Sequence, residues 1–90
     1  MVIIEDRVYI ESLKDIIRFI ANDSKSKALN FRNQLNKKLE KIPFMPYKHR
    51  KSCHHNSDNV RDLIFKGYTV PYMIDNDTII ILDIIKWINK

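Results

Sequence analysis

An α+β domain in the order β-α-α-β-β-β follows from three features of the chain. Apolar residues recur at helical spacing through the first half, and after residue 59 they alternate with period two. Between the two regimes lies a single basic segment bearing two prolines, and runs of helix followed by runs of strand are the mark of an α+β layer architecture.

Taken in order, Val2, Ile3 and Ile4 followed by charges predict a short first strand over residues 2–8. From about Ile10 the period changes. Leu13, Ile16, Ile17 and Ile20 form one stripe, with Glu11, Lys14, Asp15 and Arg18 off it, as in an amphipathic helix that ends at Ala21-Asn22-Asp23-Ser24. Ser24 or Asp23 caps the next helix, because a short side-chain oxygen satisfies an orphan N–H of the first turn. That second helix carries Ala28, Phe31, Leu35, Leu39 and Ile42 on one face and stops at Pro43. The short connection favours an antiparallel pair.

Three runs then alternate, 59–65, 68–75 and 78–88, separated by Lys66-Gly67 and Asn76-Asp77, which read as hairpin turns. The last run is apolar on both faces, with Ile79, Ile81 and Ile85 on one and Ile80, Leu82 and Ile84 on the other, as a central strand requires. Pro71 donates no ladder bond, so an unpaired edge is expected beside it. The whole is a helical hairpin on one face of a mainly antiparallel sheet, a single domain over residues 1–90, with the opposite face left for function.

Composition narrows the class. Hydrophobic residues at 44% and charged residues at 30% fit a soluble globular chain, and the longest apolar run, Ile79–Leu82, is far from a membrane span. A net charge of +5 and a pI of ≈ 9.4 point to anionic partners without choosing among them. One cysteine forms no internal disulfide, and the early charges of the N-terminus do not suit a secretory leader, so a cytoplasmic protein is expected.

The candidate chemistry is concentrated in "KHRKSCHHNSDNVRD", residues 48–62. Cys53, His54 and His55 are adjacent, so their side chains diverge. Only His49 and Cys53 have a plausible ligand gap, and no second pair completes four ligands; neither metal nor cofactor is expected. Arg61 shares a strand face with Leu63 and Phe65, and a charge among apolar neighbours needs a partner, such as Asp83, or a function. Tyr68 and Tyr72 lie on one strand face, where they either stack on bases or pack in the core, and Trp87 presents the same choice.

In combination, "IRFIANDS", "SKSKALNFRNQLNKKLEKIPFMP", "VRDLIFKGYTVPYMID" and "IIILDIIK" resemble the RelE/ParE superfamily of type II toxin–antitoxin toxins, over nearly the whole chain. The resemblance implies a small toxin held inactive by a cognate antitoxin that folds on binding, and it implies one of two targets. RelE-like members cut messenger RNA in the ribosome, whereas ParE-like members inhibit DNA gyrase. A nuclease of this kind needs a base, an acid and cations for the phosphate. The positions corresponding to those of RNA-cleaving relatives are Lys48, Arg50 and Lys51 in the loop, Arg61 on the strand and Lys86 near the last strand's end, with His55, or else His49 or His54, as an acid–base group. Where many RNA-cleaving relatives carry histidine or arginine before an aromatic residue, this chain has Lys86-Trp87, and lysine, with an ordinary pKa of about 10.4, is a poor base at neutral pH. That departure and the long paired helices favour the gyrase-directed branch; the basic loop favours the nuclease. A non-toxic nucleic-acid-binding module is the third reading.

Overall fold

The computed structural model describes residues 1–52 and 57–86. Its elements are β1 (Val2–Glu5), α1 (Arg7–Asp23), α2 (Lys25–Glu40), β2 (Arg50–Lys51), β3 (Val60–Phe65), β4 (Tyr68–Asp75), β5 (Thr78–Ile81) and β6 (Ile85–Lys86), with a single 3₁₀ turn at Ile42–Phe44. The first strand is shorter than its sequence suggests, because the Asp6 side chain accepts from the Val8 N–H at 3.0 Å and starts α1 at Arg7. One residue, Ser24, separates the helices. It closes α1 through its N–H to the Ile20 carbonyl and caps α2 by accepting from the Lys27 N–H at 3.2 Å.

The sheet runs β1-β5-β4-β3-β2, and β6 pairs with the far end of β4. Among the described strands only β1 and β5 pair in parallel. The Lys66-Gly67 turn has φ of +47° and +82°, the left-handed pair that a two-residue hairpin needs, and glycine carries the second position without a side-chain penalty. Asn76 opens the second hairpin at φ +53°.

Both helices cover one face of the sheet. Tyr9 from α1 and Phe31, Leu35 and Leu39 from α2 meet Leu63, Phe65, Val70, Tyr72, Ile74, Ile79 and Ile81, while Leu13, Ile16, Ile17 and Ile20 pack against this core as half-buried residues. Each large side chain fully buried there contributes roughly 1.5–3 kcal/mol. Phe31 meets Phe65 and Tyr68 edge-on, at 5.2 Å and 5.5 Å between centroids.

The last apolar run is not one strand. Tyr72 pairs with Ile81 but Thr69 pairs with Ile85, so three residues, 82–84, oppose two on β4. This is a β-bulge, and it falls at Pro71, whose carbonyl accepts from the Leu82 N–H at 2.9 Å but whose nitrogen has no proton to return. Asp83 supports the bulge by accepting from the Ile84 N–H at 2.7 Å. The extra residue inverts the face pattern beyond it: Ile84 is buried and Ile85 exposed, the reverse of strict alternation. The unpaired position expected at Pro71 is therefore an interruption inside the sheet, not an outer edge.

Candidate functional site

The site is built where the basic segment returns to the sheet. From Met45 to Lys51 the chain passes alongside Arg61 of β3 and Tyr72 of β4, and these two side chains on the helix-covered face hold it there. Tyr72 donates its hydroxyl to the Pro46 carbonyl at 2.6 Å. Arg61, its partner across the ladder, donates Nη1 to the His49 carbonyl at 3.2 Å and Nε to the Asp58 carbonyl at 3.1 Å. The Arg61 guanidinium also lies over the Tyr47 ring, 5.0 Å from its centroid, and the His49 ring meets Tyr72 edge-on at 6.0 Å.

These contacts explain the two-residue strand β2, which period-two patterning did not reveal. Arg50 and Lys51 pair with Asp62 and Arg61 because the segment before them is tied down, and Ser52 extends the ladder to the Val60 carbonyl at 2.9 Å. The loop's charges are engaged as well. Lys51 Nζ sits 2.6 Å from Asp58, and Arg50 lies 3.7 Å from buried Asp62. Asn59 exchanges bonds with Ile74, accepting from its N–H at 2.8 Å and donating to its carbonyl at 3.2 Å, so the base of the loop is fixed to β4.

Electrostatics follow the packing. Burial lowers the His49 pKa below its ordinary value, and the charges of Lys48 and Lys38 lower it further, so its imidazole is neutral at pH 7. Burial pushes the Tyr72 hydroxyl up to about 12, against the opposing charge of Arg61, and it stays a donor throughout the physiological range. The Lys51 hydrogen bond holds Asp58 below the usual carboxylate range, with the Lys51 charge adding to it.

The sequence-derived candidates are thus only partly assembled. Lys51 lies opposite Arg61 across the β2–β3 ladder, Arg50 is turned to the other face towards Asp62, and Lys48 stands beside His49 in the loop. Lys86 stands apart: it pairs with Tyr68, four positions along β4 from the Arg61–Tyr72 row, roughly 13 Å at the usual strand rise. It lines a separate groove with Asp15, Phe19 and Asp83. Asp83 is therefore not the partner of Arg61; backbone carbonyls are. Nor is the helix-free face the seat of this cluster, since Arg61 and Tyr72 lie on the helix side. Tyr72 is fully buried and Tyr68 packs on the core, which removes both as stacking platforms. His55, with Cys53, His54 and Trp87, lies outside the described residues. Among the described residues no group of three or more His, Cys, Asp and Glu side chains is placed to hold a metal ion, and no helix is long and apolar enough to cross a membrane.

Sequence reasoning passed over one feature. Phe44, Met45 and Tyr47 are 84%, 63% and 55% exposed, a run of large apolar side chains presented beside the basic loop. Its signal was present in "PFMPY", an apolar stretch that belongs to no helical or strand period.

Residues 3–86 match the family described as ParE toxin of type II toxin-antitoxin system, parDE. Among solved structures, a chain of the "Chromosomal ParDE TA system from P. aeruginosa" shares the fold with a TM-score of 0.78 at 16% identity, covering 98% of this chain and 97% of that one. No curated protein sequence matches at a significant level.

Proposed function

Because the chain belongs to the ParE toxin family of type II toxin–antitoxin systems, we propose that it arrests growth in the cytoplasm by binding DNA gyrase, and that a cognate antitoxin neutralises it. The observation that carries this reading is the orientation of Arg61. A phosphodiester-cleaving site aims its cations at the phosphate and sets a base and an acid on either side. Here the Arg61 fork is turned onto two backbone carbonyls, Lys51 is paired with Asp58, and Lys86 stands in a different row of the sheet. His49 packs on Tyr72.

A toxin that acts by binding needs instead an exposed, preorganised contact surface, and aromatic and methionine side chains are enriched at such interfaces. Phe44, Met45 and Tyr47 supply one, held by the 3₁₀ turn at Ile42–Phe44 and by the Tyr72–Pro46 bond. The alternative, ribosome-dependent cleavage of messenger RNA, draws on the cluster of Lys48, His49, Arg50 and Lys51 beside Arg61. An antitoxin segment would dock by adding a strand to the sheet edge or a helix to a groove.

The test is direct. Purified chain is added to a gyrase supercoiling reaction and, separately, to a translating extract. Loss of supercoiling with intact messages is expected. Normal supercoiling with ribosome-dependent cuts would replace this reading with the nuclease.

A further inference from the structure

The charge of this chain is not spread over it. Residues 37–66 hold eight Lys and Arg against three Asp and Glu, an excess of five, and the rest of the chain carries eight of each; the whole net charge of +5 therefore belongs to one third of the sequence. Part of that excess is spent on the loop, where Lys51, Arg50 and Arg61 are engaged as described. What is left converges elsewhere.

Lys37, Lys38 and Lys41, from the last turn of α2 and the residue that ends it, face Lys66 of the β3–β4 turn across an open groove of about 430 Å³. Ile64 and Phe65 form its floor. All four lysines are exposed, and among the described residues none makes an ion pair. Glu40, the one carboxylate at this end of α2, does not line the groove. Lysine near a helix C-terminus offsets the helix dipole, which accounts for Lys37 and Lys38 but not for Lys66, a residue of another element held at φ +47° opposite them. The positive field also reaches the loop, since Lys38 contributes to the lowered pKa of His49.

We propose that this groove binds the phosphate backbone of double-stranded DNA, without sequence preference and independently of the protein target of the toxin. Four unpaired ammonium groups with no carboxylate among them suit a dense, regular line of negative charge, and duplex DNA presents one charge per roughly 1.7 Å of axis. A single strand is a poorer fit, because it is gripped by exposed rings on which bases stack. Among the described residues the one ring lining this groove, Phe65, is buried and has the Lys66 ammonium 5.8 Å from its centroid. Among the described residues the groove offers charges to a backbone and no exposed ring to a base.

The test uses the full chain and a short fluorescent duplex of arbitrary sequence, followed by anisotropy from about 50 to about 200 mM salt, where backbone binding falls steeply. The logarithm of affinity is expected to fall with that of salt with a slope of about −3 to −4, near −0.9 for each of four contacts. The pair Lys38→Gln and Lys66→Gln should reduce the slope by about 2 and weaken binding at the lowest salt by on the order of 10-fold or more. Lys37→Gln with Lys41→Gln should reproduce that loss without touching the turn. Lys25→Gln with Lys27→Gln removes the same charge from the other end of α2 and should leave binding unchanged. Equal losses in all three pairs would reduce the effect to bulk charge and overturn the site. So would an absence of duplex binding at low salt, tighter binding to single-stranded DNA or to duplex RNA, or binding of poly-glutamate in place of DNA.

Discussion

Arg61 and Tyr72 face one another across the β3–β4 ladder, and both reach out of the sheet to the same short stretch of chain, Tyr72 to the Pro46 carbonyl and Arg61 to that of His49. A buried tyrosine and a half-buried arginine thereby fasten the segment that carries the basic residues and the exposed Phe44 and Met45. Four expectations follow from this fastening and from what it leaves exposed.

Tyr72→Phe removes one hydroxyl and nothing else from the core. The Pro46 carbonyl loses its donor, at a cost of about 1–2 kcal/mol. For a domain of this size that lowers Tm by roughly 4–16 °C, read by thermal unfolding. The pH dependence has a definite sign. The folded-state hydroxyl titrates at about 12 and the unfolded one near the ordinary tyrosine value of about 10, so the contribution is complete below pH 10 and is lost as pH rises towards 12. The phenylalanine variant should lose stability less steeply in that window. Tyr9, which burial pushes higher still, keeps part of the slope.

Arg61→Ala should destabilise the loop rather than abolish a reaction. Two side-chain-to-backbone bonds and the Tyr47 contact disappear, together about 2–3 kcal/mol. Arg61→Lys keeps the charge but cannot donate in two directions from one planar group, and should recover less than half of that. At a temperature where Arg61→Ala is still folded, induced expression should still stop growth. A folded, harmless variant would instead mark Arg61 as a residue that acts on the target.

His49 reports the field around the loop. Its NMR titration midpoint should lie below the ordinary histidine value, and Lys48→Gln should raise it by removing a neighbouring positive charge. The unfolded chain binds a proton there more readily than the folded one. Stability is therefore highest above the unfolded pKa of about 6.5 and declines as pH falls through the lowered folded value. His49→Gln should flatten this decline in urea unfolding measured at a series of pH values.

Phe44→Ser combined with Met45→Ser changes side chains that are mostly in water, so Tm should hardly move, within the ±0.5 kcal/mol usual for such positions. On the proposed gyrase reading, inhibition should weaken by more than about 10-fold if these residues form the centre of the contact. Unaltered inhibition at equal protein concentration would exclude the run as the docking element.

Much of this was legible in the residues themselves. The helix stripes of Leu13, Ile16, Ile17 and Ile20 and of Ala28, Phe31, Leu35 and Leu39, the Ser24 cap and both hairpin turns depend on local periodicity and on backbone preferences of single residues, and all of them occupy the roles their spacing assigns. The concentration of positive charge was equally visible. Tertiary structure alone decided what the charges do. No local rule tells that Arg61 finds the His49 carbonyl instead of Asp83, because that acceptor lies in a stretch without periodicity that the Tyr72–Pro46 bond and the β2–β3 ladder hold alongside β3. Nor does alternation report the extra residue opposite Pro71, which turns Ile84 inward and Ile85 outward. Period and propensity are properties of neighbours in the chain; hydrogen-bond partners and register past a bulge are properties of neighbours in space, and these came into being only when the strands paired.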